Sequence, residues 1–410
     1  MTEAPDMSDD RFAVFRSNFP GASEGVFTNV AQRGLMPVQV RDAITAYLDG
    51  RTGLAWSKDG SFDLVEAARI AFANFVNAHP DEIAFVKNVS EGLNHIAGGM
   101  DWRAGDNMIF CPELEHPANV YPWYNAAQRY GIEVRTVAPD DGHVDLDRLM
   151  AAVDERTRLV SVSTVTFSPG FVTDVPALSA ACRERGVRVV ADAAQSVGVL
   201  HTDVEQLGVD ALAVATQKGL LACYGMGFLY CRKDFAEELK PAALARFSVA
   251  MDEDAHETAF TGVDFTYAPA ARRFDGGNYN YLAVTAVNAA LDLLSGLGTQ
   301  AIHTYVRDLT IRMVEGFLEA GLPVCGGAPG PHLGHIVALG SSGGGRHYTA
   351  DDPAMNTLHE ALTREGVHLS IRKGVLRFSL HAYNNEDDVD RILEIARSVG
   401  VGATASPGLG

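Results

Sequence analysis

An α/β fold built on a mostly parallel sheet follows from three observations on this 410-residue chain. Its composition, 47% apolar and 21% charged, is that of a globular protein with a large core. From about Asp81 to Asp234 short apolar runs alternate with helical patterns. Those runs are rich in β-branched residues and nearly uninterrupted, as expected of strands buried on both faces between covering helices. The length suits a large domain with a smaller satellite.

Taken in order, "IAFVKN" predicts a strand leading into the helix "VSEGLNHIAGGM", and "NMIFC" a strand before the helix "HPANVYPWYNAAQRYG". "IEVRTVA" precedes the helix "DLDRLMAAVD", and "RLVSVSTV" precedes "VPALSAACRERG". The strands "VRVVADAA", "ALAVAT" and "GMGFLYCR" complete the set. The stretch from about Asp252 to Asn280 is irregular, and "LAVTAVNAALDLLSGLG" reads as a helix. After about Gln300 a long amphipathic helix begins an α+β unit with strands "HIVALG", "VHLSIRKG" and "VLRFSLH". The terminal helix "NEDDVDRILEIARSVG" has Asn385 as its N-cap. The predicted organisation is an N-terminal segment (1–60) packing on the small domain and the active site, a large domain (61–298) and a small C-terminal domain (299–410).

A net charge of −19 argues against nucleic acid or an anionic membrane as partner. Any anionic ligand must be held by local cations or backbone dipoles. The five cysteines are scattered without a CxxC pair, which predicts neither disulfides nor zinc, no metal site, and a reducing, cytoplasmic compartment. The acidic start "MTEAPDMSDDRF" is not a signal peptide, and no apolar run approaches the roughly 18 residues of a membrane span. No GxGxxG follows an early strand, so a nicotinamide dehydrogenase is discounted. The glycine run "GSSGGGR" reads as a surface loop.

Two charges stand out. Asp192 ends the buried run "VRVVA", and Lys218 is the single charged side chain in "ALAVATQKGLLACYGMGFLYC". Taken alone, Asp192 could be a helix N-cap. Both strand ends, however, face one crevice. A lysine that forms a Schiff base and an acid that protonates a pyridine nitrogen are what pyridoxal phosphate needs.

The segment from Ala191 to Lys233 resembles the cofactor segment of class V aminotransferase-like, fold type I pyridoxal phosphate enzymes, which include cysteine desulfurases, selenocysteine lyases and the isopenicillin-epimerase-like group. The resemblance runs from roughly Val26 to Val399 and rests on Asp192, Gln195, Lys218 26 positions after the Asp, Gly225 and Gly227. It implies a large domain with a mostly parallel seven-stranded sheet, plus a smaller α+β domain. "PELEHPANVYPW" resembles the family's Glu-His-x-x-Asn segment, which makes His116 the residue stacked on the pyridine ring. "VKNVSEGLN" resembles the phosphate loop and puts Ser90, Glu91 and the amides of a helix start at the cofactor, with Val89 where a threonine is usual. Ser90 as a helix N-cap is compatible with that role. "RRFDGGNYNY" resembles the loop that reaches the phosphate of the partner subunit, which implies a homodimer and a role for Gly277 and Asn278. Gln217 stands where His is usual, Ala215 where Ser is usual, and Thr164 takes the place of the asparagine near the ring hydroxyl.

"IRKGVLRFSLHAYNNEDD" resembles the signature around the arginine that grips the substrate carboxylate, which is Arg377 here, with Arg372 as a second cation. Asn29 falls where the N-terminal segment lines the site. The desulfurase group carries a nucleophilic cysteine on a loop before this arginine, and "HLSIRKGVLRFS" has neither the cysteine nor the loop. Cys325 lies far upstream, in an expected strand, and Cys223 is read as a small buried residue. What the resemblance implies is a pyridoxal phosphate enzyme acting through a Cα carbanion on a small α-amino acid. A lyase catalysing β-elimination or a related cleavage comes first, then an aminotransferase, then an epimerase. A catalytically idle cofactor-binding protein is the non-enzyme alternative.

Overall fold

A computed structural model describes residues 10–55, 57–251, 258, 263–343 and 348–399. The expectations for the first nine residues, for most of 252–262 and for the end of the glycine run lie outside these. The strands are β1 (Val26–Phe27), β2 (Ile83–Val86), β3 (Asn107–Phe110), β4 (Glu133–Thr136), β5 (Thr157–Ser163), β6 (Arg188–Asp192), β7 (Ala211–Ala215), β8 (Gly227–Cys231), β9 (Ile336–Leu339), β10 (Val367–His368), β11 (Ser370–Arg372) and β12 (Val375–Ser379).

Seven strands form the main sheet in the order β2-β8-β7-β6-β5-β3-β4. β8 runs antiparallel to both neighbours, and the other pairings are parallel. The architecture is the α/β fold with a mostly parallel seven-stranded sheet that was expected. Successive side chains of a strand point to opposite faces. Along β6, Val189 and Ala191 accordingly enter one core cluster and Val190 the other, so helices cover both faces. The first core is tightened by Phe72 stacked on Phe228, with ring centroids 3.9 Å apart.

β1 pairs in parallel with β10, and β11, β12 and β9 form an antiparallel sheet. "VHLSIRKG" is therefore not one strand. Its two halves, either side of Leu369, pair with different partners, Val26–Phe27 and Val375–Ser379. Asn385 caps the terminal helix Glu386–Val399 as expected, its Oδ1 accepting from the Asp388 amide at 3.0 Å. The helices Asp10–Ser17, Val38–Thr52, Lys58–Phe75 and Pro353–Arg364 have no counterpart in the sequence expectations. Phe12 of the first stacks flat on Tyr305 at 3.8 Å, and Arg16 pairs with buried Asp388 at 2.8 Å. No single described helix is long and apolar enough to cross a membrane; the bent pair Tyr281–Leu297 and Thr299–Glu319 passes on length and composition only, and buried core residues run along both of its helices.

Candidate active site

β5, β6 and β7 end side by side, with Ser163 opposite Asp192 and Asp192 opposite Ala213. At these carboxyl ends lies a cavity of about 340 Å³, whose walls include Ser90, His116, Asp192, Gln195, Gln217 and Lys218. The turn carrying Lys218 is pressed against the turn after β6. A Cβ on Gly198 (φ +95°) would lie 2.3 Å from the Gly219 carbonyl, and one on Gly219 would lie 2.4 Å from the Val197 carbonyl. Glycine at both positions lets the two backbones meet, which fixes Lys218 relative to Asp192.

Asp192 is buried, and its Oδ1 accepts from the Ala194 amide at 2.9 Å. Burial raises its pKa, and the Lys218 charge and that amide hold it back. Lys218 is half-buried, and loss of water brings its amine down to about 8, opposed by Asp192 and reinforced by Arg377 and Arg372. Gln195 donates through Nε2 to the Ala31 carbonyl at 3.1 Å, which turns its Oε1 away from that bond; the oxygen is buried with no partner among the described residues. His116 is exposed. Its Nδ1 accepts from the Ala118 amide, and its ring meets Phe167 edge-on at 5.0 Å.

Beyond Phe167 stands Arg377 on β12. It is 1% exposed, donates to the Phe167 carbonyl at 2.8 Å and lies over that ring at 5.3 Å. Burial, then Arg372, lowers it to about 9. Asn29 bridges to Ser379, two residues past Arg377, and has a buried Oδ1 with no hydrogen-bond partner among the described residues.

Several sequence expectations need correction. Thr164 does not line this cavity. Its hydroxyl bonds Ser196 at 2.8 Å and reaches the Asp192 carbonyl, and it lines a separate cavity, because it follows Ser163 on the opposite face of the pleat. Ser90 is not the helix cap. Asn88 is, its Oδ1 accepting from the Glu91 amide at 2.9 Å, which leaves Ser90 on the cavity wall. Glu91 is not on that wall either; its carboxylate closes back on the Lys87 amide. Gly277 and Asn278 line a neighbouring cavity that shares Lys87 and Gly225 with the first. Asp275 holds their loop, accepting from buried Arg69 at 2.8 Å and from the Phe85 amide at 2.9 Å. Cys325 lies in a turn after the single bridge at Val324, not in a strand, and its Sγ sits 3.1 Å from the Gly340 carbonyl.

The sequence reading missed Phe167, Tyr224 and Ser163 on the cavity wall, and Glu115 behind it. Glu115 is buried, accepting from the Ser163 amide and hydroxyl and from Asn119 Nδ2 at 2.8 Å. Burial pushes it up to about 7 against those bonds, and the Asp192 charge adds to the rise. An acid next to His116 in a strand-to-helix turn was the available signal.

The residues present fit pyridoxal phosphate. Asp192 and Lys218, whose amine burial brings down to about 8, line one cavity, so the carboxylate could partner a ring nitrogen and the amine could form a Schiff base, and the buried Gln195 Oε1 has no partner among the described residues and could take a hydroxyl or N–H donor. The amides opening helix Val89–Gly99 suit a phosphate. Fold and site together define a fold type I pyridoxal phosphate-dependent enzyme. The Aminotransferase class-V family profile matches residues 34–392, and the chain belongs to that family. It is 31% identical over 403 residues to a probable cysteine desulfurase of Methanothermobacter thermautotrophicus, covering 94% of this chain and 97% of the relative. It is 29% identical to the uncharacterized aminotransferase YcbU of Bacillus subtilis, covering 93% and 96%. Among solved structures, the cystine C–S lyase C-DES in complex with its product cysteine persulfide aligns with a TM-score of 0.79 at 23% identity, covering 92% of this chain and 99% of that one. At that identity the likeness speaks for the fold alone.

Proposed function

We propose that this enzyme is a lyase that cleaves a small α-amino acid at Cβ, using pyridoxal phosphate held by Asp192, Gln195, His116, Gln217, Ser90 and Lys218. The observation that carries the reading is the meeting of Asp192 and Lys218 in one cavity with Arg377 behind Phe167, while the β11–β12 turn holds no cysteine. When bound, the cofactor supplies an electron sink for the pair left at Cα. Lys218 takes the proton from Cα; an amine near 8 is partly unprotonated at neutral pH, so it can act as base and return the proton as acid. Asp192 would hold positive charge on the ring nitrogen of the bound cofactor. His116, on the cavity wall, would cover one face of the bound cofactor's ring. Arg377 orients the α-carboxylate with a planar fork.

A persulfide-forming desulfurase is not supported by the thiols. Cys325 is raised to about 11 and Cys223 is also raised, both chiefly by burial, and neither lines the cavity. We further propose the division 1–60, 61–298 and 299–410, and a homodimer in which the Gly277–Asn278 loop reaches the partner's phosphate site. The five unpaired thiols support a cytoplasmic setting.

The test is to load the protein with pyridoxal phosphate, reduce with borohydride and map the cofactor's mass, which is expected on the peptide bearing Lys218. The unreduced protein is then given a panel of amino acids and scored for keto acid release, α-proton exchange and amine transfer. Keto acid with stoichiometric loss of the β-substituent supports the lyase; amine transfer without it would replace the reading with an aminotransferase.

Arg377→Ala is expected to weaken amino-acid binding by about 30- to 1000-fold, the ~2–4 kcal/mol of a charge-assisted bidentate pair in a dry site. The loaded protein's visible band should stay in place. Arg377→Lys should recover little, since an ammonium has no fork. Unaltered binding in both variants, titrated through the visible band, would move the carboxylate site elsewhere.

A further inference from the structure

If the substrate is the small α-amino acid proposed above, two strands of the small sheet bear on the class of side chain it carries. In the antiparallel pair of β11 and β12, Ser370 stands opposite Arg377 and Arg372 opposite Val375. Opposed residues share a face, as do residues two apart on one strand. Arg377, Ser370 and Arg372 therefore stand on one face, with Arg372 diagonal to Arg377. All three are buried, at 1%, 6% and 8% exposure. Ser370 Oγ and Arg377 Nε are buried with no hydrogen-bond partner among the described residues.

Neither arginine forms an ion pair with a described carboxylate. Arg377 donates to the Phe167 carbonyl, and Arg372 folds back on the Ile371 carbonyl at 2.7 Å and lies over the Tyr348 ring. Phe167, which Arg377 bonds, stands on the cavity wall, and the next residue, Ser168, donates through its hydroxyl to the Arg372 carbonyl at 3.5 Å, so the pair borders the active site. Two buried guanidinium groups on one face are costly unless anionic charge joins them. A substrate α-carboxylate compensates one. The cofactor phosphate does not serve the other, because its cradle opens helix Val89–Gly99, which packs on β7 and β8.

We propose that the second anion is carried by the substrate: the preferred amino acid has a short acidic side chain, a carboxylate or sulfinate, held by Arg372 and Ser370 while Arg377 holds the α-carboxylate. Diagonal Cβ positions across such a strand pair are roughly 7–8 Å apart, which suits two anions separated by a few bonds.

The test compares dissociation constants of matched acidic and neutral amino acids for the loaded protein, read from the visible band and from ligand-dependent melting temperature. The pairs are aspartate with asparagine, glutamate with glutamine, and cysteine sulfinate with cysteine. Wild type is expected to favour the acidic member of at least one pair by about tenfold or more. Arg372→Gln should bring that ratio to within about twofold, Ser370→Ala should lower it by about threefold, and Arg372→Lys should restore part of it. Binding without preference in wild type, or a preference that survives Arg372→Gln and Ser370→Ala, would overturn the second-anion site and leave the amino-acid reading standing. If Arg372→Gln weakens both members of a pair equally, Arg372 serves the α-carboxylate and the inference fails. If no amino acid binds at all, the amino-acid reading falls and takes this inference with it.

Discussion

Lys218→Ala is expected to lower turnover by about 10⁴-fold or more while making the cofactor-free protein more stable to heat. The two effects share one cause. Folding removes the amine from water and brings it from the ordinary lysine range to about 8. Because the folded-state pKa lies below the unfolded one, the native state binds this proton less tightly than the unfolded chain. The cost is fully present below about pH 8 and fades as pH rises through the range up to the unfolded lysine value near 10.5. Alanine removes that cost, so the gain in melting temperature should be largest at neutral pH and shrink towards pH 10–11. The same amine is partly unprotonated near pH 8, where a base that must both take and return a proton is most effective. The catalytic loss should persist across that pH range, because alanine can neither take nor return a proton. A variant with no catalytic defect would remove Lys218 from the chemistry. A variant with lost activity but no pH-dependent gain would mean that the amine is not desolvated.

The legibility of this chain follows its burial. Between Asp81 and Asp234 every strand but the edge strand β4 is largely buried, so these strands read as apolar runs, and a charge at the end of one is conspicuous. That is why Asp192 and Lys218 could be found directly. The helices before Asp81 hide because their apolar and polar positions mix: Val38–Thr52 has Val40 as its one fully buried residue. Thr164 was misplaced because a motif position carries no record of pleat parity. Ser163 and Val165 face the cavity, and the residue between them cannot. Ser90 and Asn88 are both able to cap, and only backbone geometry separates cap from cavity wall. The pairing of Ser370 with Arg377 depends on register across a turn in which Lys373 takes a positive φ of 48°. Composition alone gives no access to that register.

Asp192→Asn should cost on the order of 10²–10³-fold in turnover, with cofactor binding weakened far less. The carboxylate ends β6 on the cavity wall, 5% exposed, and accepts from the Ala194 amide. Burial raises its pKa, and the charge of Lys218 offsets part of the rise. The sign of the linkage is the reverse of a surface ion pair. With the folded pKa above the unfolded value, the native state binds this proton more tightly, so ionisation above that range destabilises the fold. Neutral asparagine avoids this cost. The cofactor-free Asp192→Asn protein should therefore match or exceed wild type in melting temperature at neutral pH, and lose that advantage as pH falls through the carboxylate range. Asparagine keeps the shape and can still accept from the Ala194 amide, so the turn is preserved and the missing negative charge is the only change. With an amide in place of the carboxylate, the bound cofactor's ring nitrogen would no longer be held protonated, and electron withdrawal from Cα would weaken accordingly. The expected signature is slow α-proton exchange, measured in heavy water, in a protein that still takes up pyridoxal phosphate. Exchange at the wild-type rate would reduce Asp192 to a capping residue of the turn at Ala193–Gln195.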